Sequence, residues 1–288
     1  MRSSPSVTAE AVCLMRALDQ RRPPAERILD DPYAELFLGP IARGALAAAR
    51  ASGDLGLAAE RHALGLITYV LTRHRFIDDA LRAALSEGRV EQVVLLGAGY
   101  DTRAYRFGPQ ASDVQFFEVD HPSTGGRKAR IVAVHTDRLP PEQVTRVQVD
   151  FEHERFGEKL VQAGLRPGAS TFFVWEGVSM YLSREAVKST LETIHALGAP
   201  GSELAMDFFF MLDQADARAT ALRTLPGLLH FLGEPVTFAI HPEDAGSFLG
   251  RLGFELIALA DGSALESRYV RDGRHVYPTN YVVHARTR

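Results

Sequence analysis

Cysteine is almost missing from this 288-residue chain. Cys13 stands alone, so no internal disulfide can form, and no CxxC or paired Cys/His cluster offers metal-ligand spacing. A reducing, cytoplasmic location is expected, and no metal site. Long apolar runs are missing too: the longest, 63–71, is too short to cross a bilayer, and the opening MRSSPSVTAE has no apolar signal core. A soluble, unprocessed chain with no membrane association is therefore expected. Nor is one sign of charge in large excess, since 32 Lys plus Arg face 36 Asp plus Glu for a formal net charge of −4. That leaves no global positive field for a polyanion, which argues against nucleic acid as a partner. What is present, 46% apolar residues with 24 Gly and 15 Pro, excludes disorder and collagen and supplies enough material for a large core.

Residues 1–90 read as an N-terminal helical cap of three or four helices, because Ala, Leu and Arg dominate and apolar residues recur every three or four positions through 59–85. The first helix should end at Arg21-Arg22-Pro23-Pro24, and Asp31-Pro32 suits a restart with Asp as N-cap and Pro at the first helical position. From Glu91 the pattern changes. Short runs at 93–96, 115–119, 146–149, 171–175 and 203–209 carry β-branched or aromatic residues and alternate with helix-like segments such as 184–197. That repetition predicts an α/β domain over 91–288 with a doubly wound, mostly parallel sheet. Two later runs, 254–259 and 280–285, are expected to pair as an antiparallel hairpin. Between them and the fifth strand, 211–239 is too long for a plain connection and carries Leu228, Leu229, Phe231 and Leu232, which predicts a lid.

Ligands in such sheets bind outside the carboxyl ends of the strands, so those ends are the place to look for chemistry. The first strand runs into Gly97-Ala98-Gly99, where the backbone can turn tightly and approach a ligand. Position 102, where a dinucleotide fingerprint has its third glycine, is Thr102, which favours a ligand without a pyrophosphate. Asp120 ends the second strand and suits both hydroxyls of a ribose; a strand-end acid or a cap of the next helix is the plainer alternative. Asp150-Phe151 ends the third strand, an acid for an adenine amino group and a ring to cover it. Glu176-Gly177 ends the fourth.

The stretches TRHRFIDDAL (72–81), VVLLGAGYDTRAYRF (93–107), FFEVDHP (116–122), VQVDF (147–151) and WEGVSMYL (175–182) together resemble the leucine carboxyl methyltransferase family. This is a branch of the S-adenosylmethionine-dependent methyltransferases with bacterial members in natural-product pathways. The similarity runs from about Asp30 onward and is strongest between Arg73 and Leu182. It implies a Rossmann-like class I methyltransferase fold and S-adenosylmethionine as cofactor. It further implies O-methylation of a small-molecule acceptor, a carboxylate or phenolic hydroxyl. Residue by residue, it implies that Arg73 pairs with the cofactor's methionyl carboxylate and that Gly97 and Gly99 lie against its amino-acid part. Asp120 would hold the ribose, Asp150 and Phe151 the adenine, and Glu176 would stand near the methionyl group. The family's further N-terminal basic contact falls to Arg16 or Arg21, a choice the sequence leaves open.

Spacing alone would put Arg73, with Arg75, Asp78 and Asp79, on a solvated helix face. Tyr100, Tyr105 and Tyr181 are candidates for the acceptor pocket, although buried tyrosines with one satisfied hydroxyl are common. Trp175 reads as core, and Ser179 lacks the GxSxG order of a nucleophile elbow. A carboxylate acceptor is ionised at neutral pH and needs only desolvation and alignment, so no catalytic base is named. The alternatives are a non-catalytic S-adenosylmethionine-binding protein and a nicotinamide-dependent oxidoreductase, the second disfavoured by Thr102 and Asp150. Oligomeric state is not legible.

Overall fold

Runs such as Gln-Val-Val-Leu-Leu and Thr-Phe-Phe-Val-Trp have no polar face to offer water, and both become fully buried strands, β1 (Gln92–Leu96) and β4 (Thr171–Trp175). The computed structural model describes residues 6–52, 65–140, 144–150, 154–210 and 236–288. Its other strands are β2 (Gln115–Asp120), β3 (Val144–Gln148), β5 (Glu203–Phe209), β6 (Phe254–Ala260) and β7 (Asn280–Thr287). They form one sheet in the order β3-β2-β1-β4-β5-β7-β6, parallel from β3 to β5, with β7 antiparallel to both its neighbours. β3 sits two residues earlier than its apolar run suggests. It is an edge strand with only Val147 buried, so apolarity does not mark its bounds. The last two strands do pair antiparallel, but a helix lies between them in the chain, so they make no tight hairpin.

The described helices are α1 (Val7–Asp19), α2 (Pro40–Ser52), α3 (Leu66–Ser86), α4 (Arg103–Phe107), α5 (Pro122–Val134), α6 (Phe156–Gln162), α7 (Arg184–Leu197), α8 (Pro242–Gly250) and α9 (Gly262–Tyr269). Side chains alternate across each strand, so Val94, Leu96, Phe173 and Trp175 pack with α6, α7 and α8. Val93, Leu95, Phe172 and Val174 point the other way and pack with Tyr69, Phe76, Ile77 and Leu81 of α3. The expected division near residue 90 therefore coincides with no break in packing, because α3 is a layer of the sandwich. α1, α2 and the short 3-10 turn Ala34–Phe37 form a third cluster with Tyr100 and Tyr105 just after β1.

Asp31-Pro32 does not start a helix. The segment makes only the turn Ala34–Phe37, and the next helix, α2, starts at Pro40. The Asp31 carboxylate is committed elsewhere: Oδ2 lies 2.7 Å from Arg16 Nη1, with both side chains buried. Most of the expected lid, including Leu228, Leu229, Phe231 and Leu232, lies outside the described residues. Its far end is core, because the Thr237 and Phe238 N–H groups donate to the Met180 carbonyl and Phe238 packs among Phe208 and Phe248. No helix among the described residues is long and apolar enough to cross a membrane.

The Arg16–Asp31 pair ties the cap to the segment after β1, since Arg16 Nη2 also donates to the Tyr100 carbonyl at 2.5 Å. Asp31→Ala would leave a buried guanidinium uncompensated and should lower the unfolding free energy by about 3–5 kcal/mol, read from a urea midpoint. Arg21→Ala, which breaks an exposed pair with Glu35, should cost about 1 kcal/mol or less. An Asp31→Ala midpoint equal to the parent's would show that the pair does not hold the cap.

Candidate active site

Strand β1 ends at the point where its neighbours β2 and β4 are reached by connections running in opposite directions, the position at which open α/β sheets leave a crevice. Here that crevice is a cleft of about 340 Å³ lined by residues of α1, α3 and the ends of β1, β2, β3 and β4. Gly97 and Gly99 turn through it with φ of 65° and 49°. At Gly97 the requirement is also steric, because a Cβ would stand 2.6 Å from Val178 Cγ2. Ala9 of α1 covers Gly99 closely, at 3.3 Å from where its Cβ would be.

Asp120 Oδ2 accepts the Gly99 N–H at 2.6 Å and Oδ1 accepts the His121 N–H at 2.7 Å, so one carboxylate braces the glycine turn from the end of β2. It does not cap the next helix. That role belongs to His121, whose side chain accepts from the Ser123 N–H. Burial pushes the Asp120 carboxyl above its ordinary range despite the two N–H donors. Asp150 lines the same cleft from beyond β3, while Phe151 lies outside the described residues.

Arg73 is not on a solvated face. It is buried on α3, its Nε donates to Glu176 at 2.9 Å and its Nη1 to Asp207 at 2.8 Å, and its guanidinium lies 5.4 Å from the Tyr69 ring centre. Neither of these bonds uses Nη2, and the Tyr69 hydroxyl also lies within hydrogen-bonding reach of the guanidinium. Glu176, at the end of β4, also accepts from Arg103 Nη1 at 2.8 Å and from His74 Nδ1. Burial alone would raise its carboxyl; His74, Arg103 and Arg73 outweigh that and hold it well below the usual range. Burial, then the Arg103 charge, lowers the His74 pKa. Its protons follow from its partners: Nδ1–H donates to Glu176, and Nε2 accepts from Arg106 Nη2 at 3.1 Å. Both ring nitrogens are engaged, which leaves no free base there.

The structure separates Arg16 from Arg21. Arg16 is buried, lines the cleft and has an Nε without a partner, whereas Arg21 is exposed and paired with Glu35. Tyr100 and Tyr181 line the cleft. Tyr105 does not; its hydroxyl accepts from Arg146 Nη2 at 2.6 Å and its ring packs on Tyr33 and Phe37, because the first turn of α4 directs it into the cap's core. Trp175 is core, as expected. Sequence reasoning passed over His74, Asp101, Arg103 and Asp207. The available signal was charge in otherwise apolar segments, such as the aspartate inside Glu-Leu-Ala-Met-Asp-Phe-Phe.

Two ligand classes fit poorly. His74, Asp101 and Glu176 bring ligand atoms within 4.8 Å of one another, but Arg103 already bridges both carboxylates, so a metal cation would have to displace a guanidinium. A pyrophosphate would need the backbone N–H groups after the glycines. There the Asp101 carboxylate takes the Arg103 N–H at 2.7 Å and would repel a phosphate, and Thr102 Oγ1 is engaged by Arg106.

Glu176, Asp78 and Asp101 are all held below the ordinary carboxylate range: burial opposes this in each, and the guanidinium groups of Arg103, Arg73 and Arg106, with His74, prevail. Depressed folded values mean that the unfolded chain binds more protons in acid, so this stability is complete above about pH 5 and is lost as pH falls further. Thermal midpoints measured from pH 2.5 to 7 should drop steeply at the acid end. In Glu176→Gln the acid slope should be shallower; an identical slope would remove Glu176 as a source.

A family model described as leucine carboxyl methyltransferase matches residues 9–195. Among curated relatives, proteins of Parafrankia sp. (strain EAN1pec) and Saccharopolyspora erythraea, each bearing the name "Putative S-adenosyl-L-methionine-dependent methyltransferase", are 36% and 37% identical over 69% and 71% of this chain. The matches span 62% and 68% of those proteins' own lengths. Among solved structures, a duf574 family protein from Streptomyces avermitilis superposes with a TM-score of 0.62 at 14% identity, covering 99% of this chain and 98% of its own. The magnesium protoporphyrin IX methyltransferase of Synechocystis PCC 6803, in its SAH-bound structure, gives 0.50 at 11% identity over 76% and 85%. These likenesses are of fold, the Rossmann-like class I methyltransferase sheet. Matched by the family model over well more than half its length and by relatives above one-third identity, the chain belongs to the leucine carboxyl methyltransferase family.

Proposed function

We propose that the chain is an S-adenosylmethionine-dependent O-methyltransferase whose acceptor is a small organic molecule, with a carboxylate favoured over a phenolic hydroxyl. One observation carries the reading: four successive strand ends bring Gly97 and Gly99, Asp120, Asp150 and Glu176 to a single cleft, faced by two buried arginines, Arg16 with an Nε that has no partner and Arg73 with an Nη2 outside its two carboxylate bonds. When bound, S-adenosylmethionine supplies an electrophilic methyl group on a sulfonium.

The chain's own residues have separable tasks. Arg73 Nη2 and Arg16 Nε are suited to the methionyl carboxylate, because both are cationic N–H donors on the cleft wall, Arg16 Nε with no partner and Arg73 Nη2 outside that residue's bonds to Glu176 and Asp207. Asp120 suits the ribose hydroxyls, with oxygen lone pairs remaining after its two backbone bonds. Asp150 suits the adenine amino group, and Phe151 its ring. Tyr181 and Tyr100 remain candidates for the acceptor side. Holding the acceptor oxygen in line with the methyl group can supply ~7–11 kcal/mol of the barrier reduction through positioning alone. His74 has no free nitrogen, which supports an acceptor that arrives already ionised.

Incubation with methyl-labelled S-adenosylmethionine and a panel of carboxylic acids and phenols, read by product mass, should yield a small methyl ester. Label appearing in protein from an added lysate and in no small molecule would overturn the acceptor class. Asp120→Ala should weaken S-adenosylhomocysteine about ten- to a hundredfold by calorimetry, the loss of hydrogen bonds to a charged group worth roughly 1.5–3 kcal/mol. NAD binding in place of either sulfur compound would defeat the methyltransferase reading.

A further inference from the structure

Asp207 interrupts an apolar strand, and its side chain is fully removed from solvent. A carboxylate in that position persists only if its neighbours satisfy it. Three donors do so. The Gly177 N–H reaches Oδ1 at 2.6 Å, and Arg73 Nη1 and the Tyr69 hydroxyl reach Oδ2 at 2.8 and 3.3 Å. The Asp207 backbone carbonyl in turn accepts from Ser179 Oγ at 2.7 Å. All of these partners belong to α3 or to the loop after β4, the two segments that wall the methionyl end of the cleft. Asp207 does not line the cleft itself.

We propose that Asp207 is a positioning residue for carboxylate capture: it fixes the Arg73 guanidinium so that Nη2 stays available to the cofactor's carboxylate, and it pins Gly177 beneath that guanidinium. This rests on the reading of Arg73 given above. A long side chain held at one point can swing. Here Nε is held by Glu176 and Nη1 by Asp207, on two different strands, so the plane of the guanidinium is set before any ligand arrives. Gly177 belongs to the same device. It has φ of 70°, and a Cβ there would come within 3.3 Å of Arg73 Nη2, so its bare backbone keeps clear the nitrogen that is to be used. Asp207 joins the two halves through its two oxygens.

The test compares two ligands of the folded protein by calorimetry: S-adenosylhomocysteine, and 5′-methylthioadenosine, which has the nucleoside and sulfur but no amino-acid carboxylate. Asp207→Asn keeps an oxygen for the Gly177 N–H but removes the charge and turns an amide donor toward Arg73. It should weaken S-adenosylhomocysteine about tenfold or more, as expected for loss of a charge-assisted arrangement, and leave methylthioadenosine within about twofold. Asp207→Glu, which keeps the charge but lengthens the arm, should show the same selective loss and serves if the asparagine variant does not fold. In an Arg73→Met background, Asp207→Asn should change S-adenosylhomocysteine affinity no further. A parent protein that fails to distinguish the two ligands would overturn the reading of Arg73. A parent that does distinguish them, with the preference intact in both Asp207 variants or with both ligands weakened equally, would overturn the positioning role alone.

Discussion

A carboxylate moved from water into a protein interior loses several kcal/mol of hydration unless cations or N–H groups replace it, and Glu176, just after β4 and on the cleft wall, has lost most of its access to water. Its partners, Arg73, His74 and Arg103, are themselves buried, so each needs a further partner. Arg73 turns to Asp207, Arg103 to Asp78 and Asp101, and His74 to Arg106, which returns to Asp78. The result is a closed set of mutually bonded polar groups joining α3, the segment after β1, β4 and β5. No member can leave without exposing its neighbours' cost. Such a network, when satisfied, favours one arrangement of the elements that carry it.

That network ties the cleft wall, where Glu176, His74 and Arg73 lie, to the layer behind it. Asp78 takes three contacts from the nitrogens of Arg103 and Arg106 and does not line the cleft, whereas Arg73 sits on its wall beside Arg16, which lies outside the network and has an Nε without a partner. Glycines do the complementary work by removing bulk. At Gly97 the loop after β4 presses against the turn after β1, and the two loops can meet only because one of them has no side chain. The same economy appears at Gly177. Binding a ligand in such a place requires little rearrangement of the protein, which is where affinity is otherwise lost.

The five parallel strands were legible because buried strands must be apolar along their length, and the helices behind them because their apolar residues recur at helical spacing. Where that logic weakens, the reading drifted: β3 at the edge was displaced, and Asp31-Pro32 was taken for a helix start because local cap chemistry cannot anticipate a partner, Arg16, fifteen positions back in the chain. Arg73 showed the limit most plainly. Its neighbours Arg75, Asp78 and Asp79 give the helix a charged look, yet Arg75 and Asp79 pair near the surface while Arg73 and Asp78 are buried. Charge pattern does not distinguish a solvated face from an internal ion network; only partners brought from β4, β5 and the turn after β1 do so. Strand-end residues such as Asp120 were readable because the fold places them, and Asp207 was not, because it sits one layer behind.

β7 has an antiparallel neighbour on each side, and one of them is β5. During synthesis the strands β1 to β5 emerge first, and the free edge of β5 stays unpaired until residues 280–287 arrive to cover it. That edge is seven residues long and mostly apolar, the kind of surface that pairs with an extended chain nearby. Asp207 lies in the middle of it. Its side-chain partners Tyr69, Arg73 and Gly177 all precede it in the chain, so the carboxylate is satisfied by segments made before β7 rather than by β7 itself.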